Sequence, residues 1–174
     1  MWTETSVAGH PCEIFEPRQA SPHGYVAIYL HGVHQNRIRD HQSFVDEFDR
    51  HGLRVICPQT KRSWWTDKIC PEFDPSLTAE RYVVDHILPF ILERWQTKPP
   101  QIAVLGTSMG GQGALRFGFK HPNKFPVVAA VSPAIDYHQR MRYPEEEDDP
   151  LFEMYPDPEA ARQDTATLHV HPLN

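Results

Sequence analysis

At 174 residues, with 40% hydrophobic and 23% charged residues, the chain is long enough for one domain with a real core and has the makeup of a soluble globular protein. A formal net charge of −6 excludes a general nucleic-acid binder. No apolar segment approaches the ~18 residues of a membrane span, and Met1–Thr5 has neither the basic start nor the apolar run of a signal peptide. Three cysteines, Cys12, Cys57 and Cys70, are an odd, scattered set without metal spacing, and a reducing cytoplasm is the simplest setting for them.

In chain order, Pro11 to Pro17 contains a short run expected as an edge strand, and Arg18 to Gly24 is a turn. Gly24 to Leu30 is nearly continuous in apolar residues, the mark of a strand covered on both faces. It runs into His31-Gly32-Val33-His34-Gln35-Asn36. A histidine and glycine directly after a central strand are suited to turning a backbone N–H inward, and Val33 is the expected donor, with His34 the alternative. His31 is read as a prop for that loop. Asp40 to His51 reads as a helix stopped by Gly52, and Leu53 to Pro58 as the next strand. The long connection Gln59 to Leu77 carries Trp64 and Trp65 side by side. They either cover the core edge or wall a substrate cleft, since loops at strand C-termini form the site in open α/β sheets. Thr78 to Trp95 is the longest helical pattern, capped by Thr78 and interrupted at Pro89.

The apolar run Ile102 to Leu105 then stops at Gly106-Thr107-Ser108-Met109-Gly110, followed by helix-forming residues to about Lys120. This is Gly-x-Ser-x-Gly between a strand and a helix, the form of a nucleophile elbow. Small residues at Gly106 and Gly110 let the backbone cross closely, Ser108 points off the end of the sheet, and the Met109 N–H faces the same point at a helix N-terminus. Such geometry suits a nucleophile whose attack creates an oxyanion. Another strand is expected over Val127–Val131, then Ser132-Pro133-Ala134-Ile135-Asp136. The proline-rich stretch Tyr143 to Pro158 contains the acidic run Glu145–Asp149, to which no site is assigned. Pro158 to Gln163 is at best a short helix, and Thr165 to Val170 a possible last strand. Strands alternating with helices predict an α/β fold, a mostly parallel, doubly wound sheet in one domain over residues 1–174.

The stretch from Gly106 to Leu115, with His121-Pro122-Asn123-Lys124-Phe125 and Ser132-Pro133-Ala134, resembles the α/β-hydrolase superfamily. It is most similar to the putative-esterase branch containing S-formylglutathione hydrolase (esterase D), feruloyl and acetylxylan esterases and the mycolyltransferases. The resemblance spans about Tyr25 to Asp136. It implies a serine esterase that hydrolyses a carboxylic ester or thioester through an acyl-enzyme on Ser108, with Met109 and Val33 as oxyanion donors and no cofactor. In such folds an acid and then a histidine follow the serine, yet few residues follow Ser132. The expectation is therefore a hydrolase fold lacking part of its C-terminal end. The competing arrangement is compressed, with Asp136 as acid and His171 or His169 as base, and His138 as a weaker candidate. The implied partner is a small-molecule ester or thioester, with no nucleic acid or membrane. Two other functions are open: an acyltransferase, or a non-catalytic module binding a carbohydrate or acyl ligand through Trp64 and Trp65. Eleven histidines are plentiful, but His169-x-His171 with no nearby carboxylate is a weak metal set. Substrate and oligomeric state are not encoded legibly.

Overall fold

The computed structural model describes residues 1–144 and 149–170. A six-stranded sheet runs in the order β1-β2-β4-β3-β5-β6. Its strands are β1 (Trp2–Val7), β2 (His10–Phe15), β3 (Val26–Leu30), β4 (Arg54–Pro58), β5 (Ile102–Thr107) and β6 (Val127–Val131). β4, β3, β5 and β6 pair in parallel, while β1 and β2 form an antiparallel hairpin whose second strand joins β4. The sheet is thus mostly parallel, as the alternating pattern predicts. The run at Pro11 is not an edge, however. β2 lies inside the sheet because the polar N-terminal stretch Trp2–Val7 forms one more strand outside it. The turn between them, Ala8-Gly9, has positive φ at both residues, the geometry that keeps a tight hairpin in step with strand twist.

Alternation along β3 splits the core into two layers. Val26, Ile28 and Leu30 face one cluster, which also holds Trp65, Tyr82, Ile87, Ile91 and Phe117. Ala27 and Tyr29 face the other, formed with Phe15, Ile38, Phe48 and Val55. On that second face a 3₁₀ turn (Ile38–Asp40) leads into α1 (Gln42–Arg50). The expected long helix from Thr78 is present but changes pitch: α2 (Ala79–Tyr82), a π-helical turn (Val83–Ile87), then α3 (Leu88–Trp95). The Thr78 side chain caps it by accepting from the Arg81 N–H. Pro89 falls in the first turn of α3, directly after the π turn, and because the chain before it is already helical its missing N–H withdraws a donor from an upstream carbonyl.

α4 (Met109–Lys120) follows β5 directly and packs on β5 and β6. The opposite face of β6 is open, with Val127 at 47% and Val131 at 41% exposure. Three short helices complete the described chain, α5 (Tyr137–Arg142), α6 (Leu151–Met154) and α7 (Pro158–Gln163). Thr165 to Val170 does not form the last strand; residues Ala166–His169 make a 3₁₀ turn that packs against α4. Thr165 starts that turn by folding its hydroxyl back onto the Arg162 carbonyl, which draws the chain away from the sheet.

Candidate active site

Ser108 sits between β5 and α4 with φ 55° and ψ −116°. A non-glycine residue rarely occupies this region, and holding one there costs ~1–3 kcal/mol. The surroundings enforce it. The Ser108 N–H donates to the Val131 carbonyl at 2.9 Å, and its own carbonyl accepts from Gln112 at 3.0 Å and Ala134 at 3.1 Å. Both flanking glycines are required by close approach. A Cβ on Gly106 would overlap the Gly110 carbonyl, and one on Gly110 would overlap the Leu30 carbonyl at the end of β3. The elbow is therefore wedged against the strand that carries the next loop.

That loop lies against the serine. A Cβ placed on Gly32 would be 3.3 Å from the Thr107 carbonyl oxygen and 3.4 Å from Ser108 Cβ. Among the described residues, neither the Val33 N–H nor the Met109 N–H donates to a main-chain carbonyl. Met109 opens α4, where the first N–H groups of a helix have no partner within it.

His31 fixes the loop from beneath. Its ring is buried at 1% exposure. Nδ1–H donates to the Gly32 carbonyl at 2.9 Å, and Nε2 accepts from the Thr60 N–H at 3.1 Å. Because the Thr60 partner is a donor, the ring must be neutral, with its proton on Nδ1. Burial accordingly pushes its pKa down to about 4, against a smaller upward pull from the Gly32 carbonyl. The His31 carbonyl in turn accepts from Trp65 Nε1 at 3.1 Å.

A cavity of about 330 Å³ opens beside Ser108. Tyr29, Val33, Ile38, Phe44 and Val131 supply its apolar wall, with Gly32, Thr107 and Ser108 at one end. His34 and His41 also line it. His41 was not singled out in the sequence because its isolated position before a helix carries no motif.

The cleft-wall role for Trp64 and Trp65 is corrected. They are 1% and 0% exposed and belong to the core. Trp64 packs on Tyr137 at 5.2 Å between ring centroids, and its carbonyl accepts from Gln112 Nε2 at 2.9 Å. Both carry φ near +55°, which turns their side chains inward instead of into the Ser108 cavity.

The expected acid and base are not assembled around Ser108 in the described residues. Among them, no histidine hydrogen-bonds Ser108. Asp136 is exposed just before α5, and its carboxylate makes no hydrogen bond or ion pair among the described residues. His138 lies buried on α5, with Gln139 Nε2 at 3.4 Å from its Nε2. His169 is held instead by Asp164, 3.3 Å away. His171 lies outside the described residues.

Asp164 belongs to a buried ionic cluster with no sequence motif. Arg116, on α4, reaches Glu80 at 2.6 Å and Asp164 at 2.5 Å. Lys120 and His121 also contact Glu80, and the Tyr155 hydroxyl donates to Asp164 at 2.6 Å. Burial alone would raise both carboxyl pKa values. For Glu80, His121, Arg116 and Lys120 outweigh it and hold the value down to about 2. For Asp164, His169, Arg116 and Tyr155 likewise hold it far below the usual carboxylate range. The cluster locks α4 to α2 and to the segment after α7. Among the described residues no group of three or more His, Cys, Asp or Glu side chains could hold a metal ion, and no helix is long and apolar enough to cross a membrane.

The family model described as "Putative esterase" matches residues 24–170. Among solved structures, an S-formylglutathione hydrolase from Agrobacterium tumefaciens is 18% identical with a TM-score of 0.69, covering 97% of this chain and 68% of that one. A ferulic acid esterase is 15% identical with a TM-score of 0.71, covering 97% and 69%. The fluorophosphonate-binding serine hydrolase F of Staphylococcus aureus is 16% identical with a TM-score of 0.65, covering 92% and 63%. The chain thus spans about two thirds of the length of these structures, and at these identities the likeness is one of fold. No curated protein matches the chain.

Proposed function

Since the chain belongs to the Putative esterase family, within the α/β-hydrolase superfamily, we propose that it is a serine hydrolase of carboxylic esters or thioesters. Ser108 is the nucleophile, and the N–H groups of Met109 and Val33 are the oxyanion donors. The observation that carries this reading is the elbow itself: a serine held at φ 55° at the mouth of an apolar cavity, with two main-chain N–H groups left without carbonyl partners.

Ser108 Oγ attacks the carbonyl carbon as its proton passes to a base, and the carbonyl electron pair moves onto oxygen. Val33 and Met109 hold that oxyanion. Its collapse breaks the bond to the alcohol or thiol, which leaves with the proton and gives an acyl-enzyme. Water then repeats the attack, releases the acid and restores Ser108. Removing one oxyanion donor of this kind costs about 10²–10³ in rate. His171, with Asp136, is the assigned base and acid, in the chain order that the fold uses; His34 and His41, which line the cavity, are the other histidines to test.

Labelling with a fluorophosphonate, followed by peptide mass spectrometry, tests the reading. The probe is expected to modify Ser108 quickly and to leave Ser108→Ala untouched. A folded sample whose Ser108 stays unmodified would refute it and favour a binding role. Replacing His171, His34 and His41 one at a time then identifies the base by which variant loses labelling. Adding a hydroxyl acceptor during ester turnover separates hydrolysis from acyl transfer through the product formed.

A further inference from the structure

We infer that the cavity beside Ser108 is an acyl pocket for an uncharged alkyl or aryl acyl group larger than acetyl, an inference that rests on the acyl-enzyme reading above. Its walls decide the chemistry. Tyr29 comes from β3, Ile38 from the 3₁₀ turn, Phe44 from α1 and Val131 from the open face of β6. None of the described residues lining it is Asp, Glu, Lys or Arg.

The charges at this end of the sheet gather elsewhere. Alternate residues of the same loop, Gln35 and Arg37, face a second cavity of about 350 Å³ that also holds Glu4, Glu13 and Lys61. The loop after β3 thus separates a charged compartment from an apolar one, and Ser108 opens only onto the apolar side. An ionised acyl group would lose water against those apolar walls, with no Lys or Arg among the described lining residues and only the exposed His34 and His41 able to become cationic.

Size follows from volume. A methyl group displaces about as much space as a water molecule, ~30 Å³. The cavity of about 330 Å³ therefore has room for on the order of ten such groups. A formyl or acetyl group would leave most of it as water against apolar walls. A longer chain or a ring displaces that water, and each buried methylene gains roughly threefold to fourfold in binding.

Two phosphonofluoridates that differ only in the alkyl group on phosphorus, methyl or octyl, test the inference. On labelling, Ser108 Oγ bonds to phosphorus, fluoride leaves with the P–F electron pair, and the alkyl group stands where the acyl chain would. The octyl probe is expected to label Ser108 at least about tenfold faster than the methyl probe. Phe44→Trp narrows the cavity and is expected to lower that ratio at least about fivefold in a protein that still melts cooperatively. Val131→Phe, at an exposed edge position, makes the same test if Phe44→Trp fails to fold. Equal or slower octyl labelling overturns the acyl-pocket inference while leaving the nucleophile standing, as does a ratio untouched by either variant. Absence of labelling by both probes overturns the acyl-enzyme reading, and the pocket assignment falls with it.

Discussion

Replacing His31 tests whether the loop beside Ser108 is held by a neutral imidazole. The ring is buried, donates to Gly32 and accepts from Thr60, itself fully buried. His31→Phe keeps most of the volume but leaves the buried Thr60 N–H unpartnered, at ~1–3 kcal/mol, while the Gly32 carbonyl keeps the Gln35 N–H as a donor. A loss of roughly 1–3 kcal/mol at pH 7 follows. The pH dependence is more specific. Burial lowers the pKa from 6.5 to about 4 in the folded protein, so between those values the unfolded chain binds a proton that the folded one does not. Stability from the neutral ring is therefore present in full above pH 6.5 and falls as pH drops toward 4. At pH 4.5 the loss from this group is on the order of 2–3 kcal/mol. Urea unfolding of both proteins at pH 7 and pH 4.5 isolates it, because His31→Phe should lose that much less than the parent on acidification. Equal losses would refute the neutral, Thr60-bound histidine. A second readout follows the loop: His31→Phe should slow fluorophosphonate labelling of Ser108 by at least about tenfold, since small displacements of a positioning group are costly.

Gly110→Ala forces a methyl onto the Leu30 carbonyl, a backbone atom that cannot swing away; we expect a loss of about 1–3 kcal/mol, read by thermal melting, and labelling slowed about 10²-fold. Trp64→Ala should destabilise the fold by about 3 kcal/mol, the lower end for such truncations, because its Nε1 has no hydrogen-bond partner to lose; a variant that only weakened ligand binding would return Trp64 to the cleft. Arg116→Met leaves Glu80 and Asp164 buried without their shared cation, at roughly 3–5 kcal/mol. Because Glu80 is held from 4.5 down to about 2, its contribution is complete above pH 4.5 and is lost as pH falls toward 2. Acid titration followed by circular dichroism should show the unfolding midpoint of Arg116→Met moving to higher pH.

The central strands were legible because each is a dense apolar run bounded by glycine, proline or charge, and a buried parallel strand leaves that trace. β1 was not. Trp2–Val7 contains only two large apolar residues, and its strand state comes from pairing with β2, where Trp2 sits opposite Phe15. The last segment failed in the opposite direction. Thr165 to Val170 alternates in the manner of a strand, but local hydrogen bonds of Thr165 and the ion pair of His169 with Asp164 hold it as a turn against α4. Propensity over six residues is weak evidence against such tertiary contacts. Trp64 and Trp65 left two readings open for a related reason: a polar stretch allows a cleft wall, whereas the core reading holds because two consecutive residues at positive φ fold the loop inward.

The elbow was readable and the partners proposed for its serine were not, and the difference is physical. An elbow is a local object. Strain at Ser108, the close approaches at Gly106 and Gly110 and the free N–H of Met109 all arise within a few residues, so they fix a spacing that survives in the sequence. A base has no such spacing, because it needs only to arrive within hydrogen-bond reach of Oγ from any loop. Eleven histidines then offer eleven answers. The fold reduces them by occupation: His31 is spent on Thr60, His121 on Glu80 and His169 on Asp164. His34 and His41, by contrast, face the cavity, and His171 follows Asp136 in the order the fold uses. A ring bonded to a carboxylate through one nitrogen can still accept a proton on the other, so these contacts set the order in which the histidines are tested; among the described residues none of His31, His121 and His169 hydrogen-bonds Ser108. The search for the base therefore begins with His171, His34 and His41, and a labelling rate unmoved by all three substitutions would rule these three out and make His138 the next to replace.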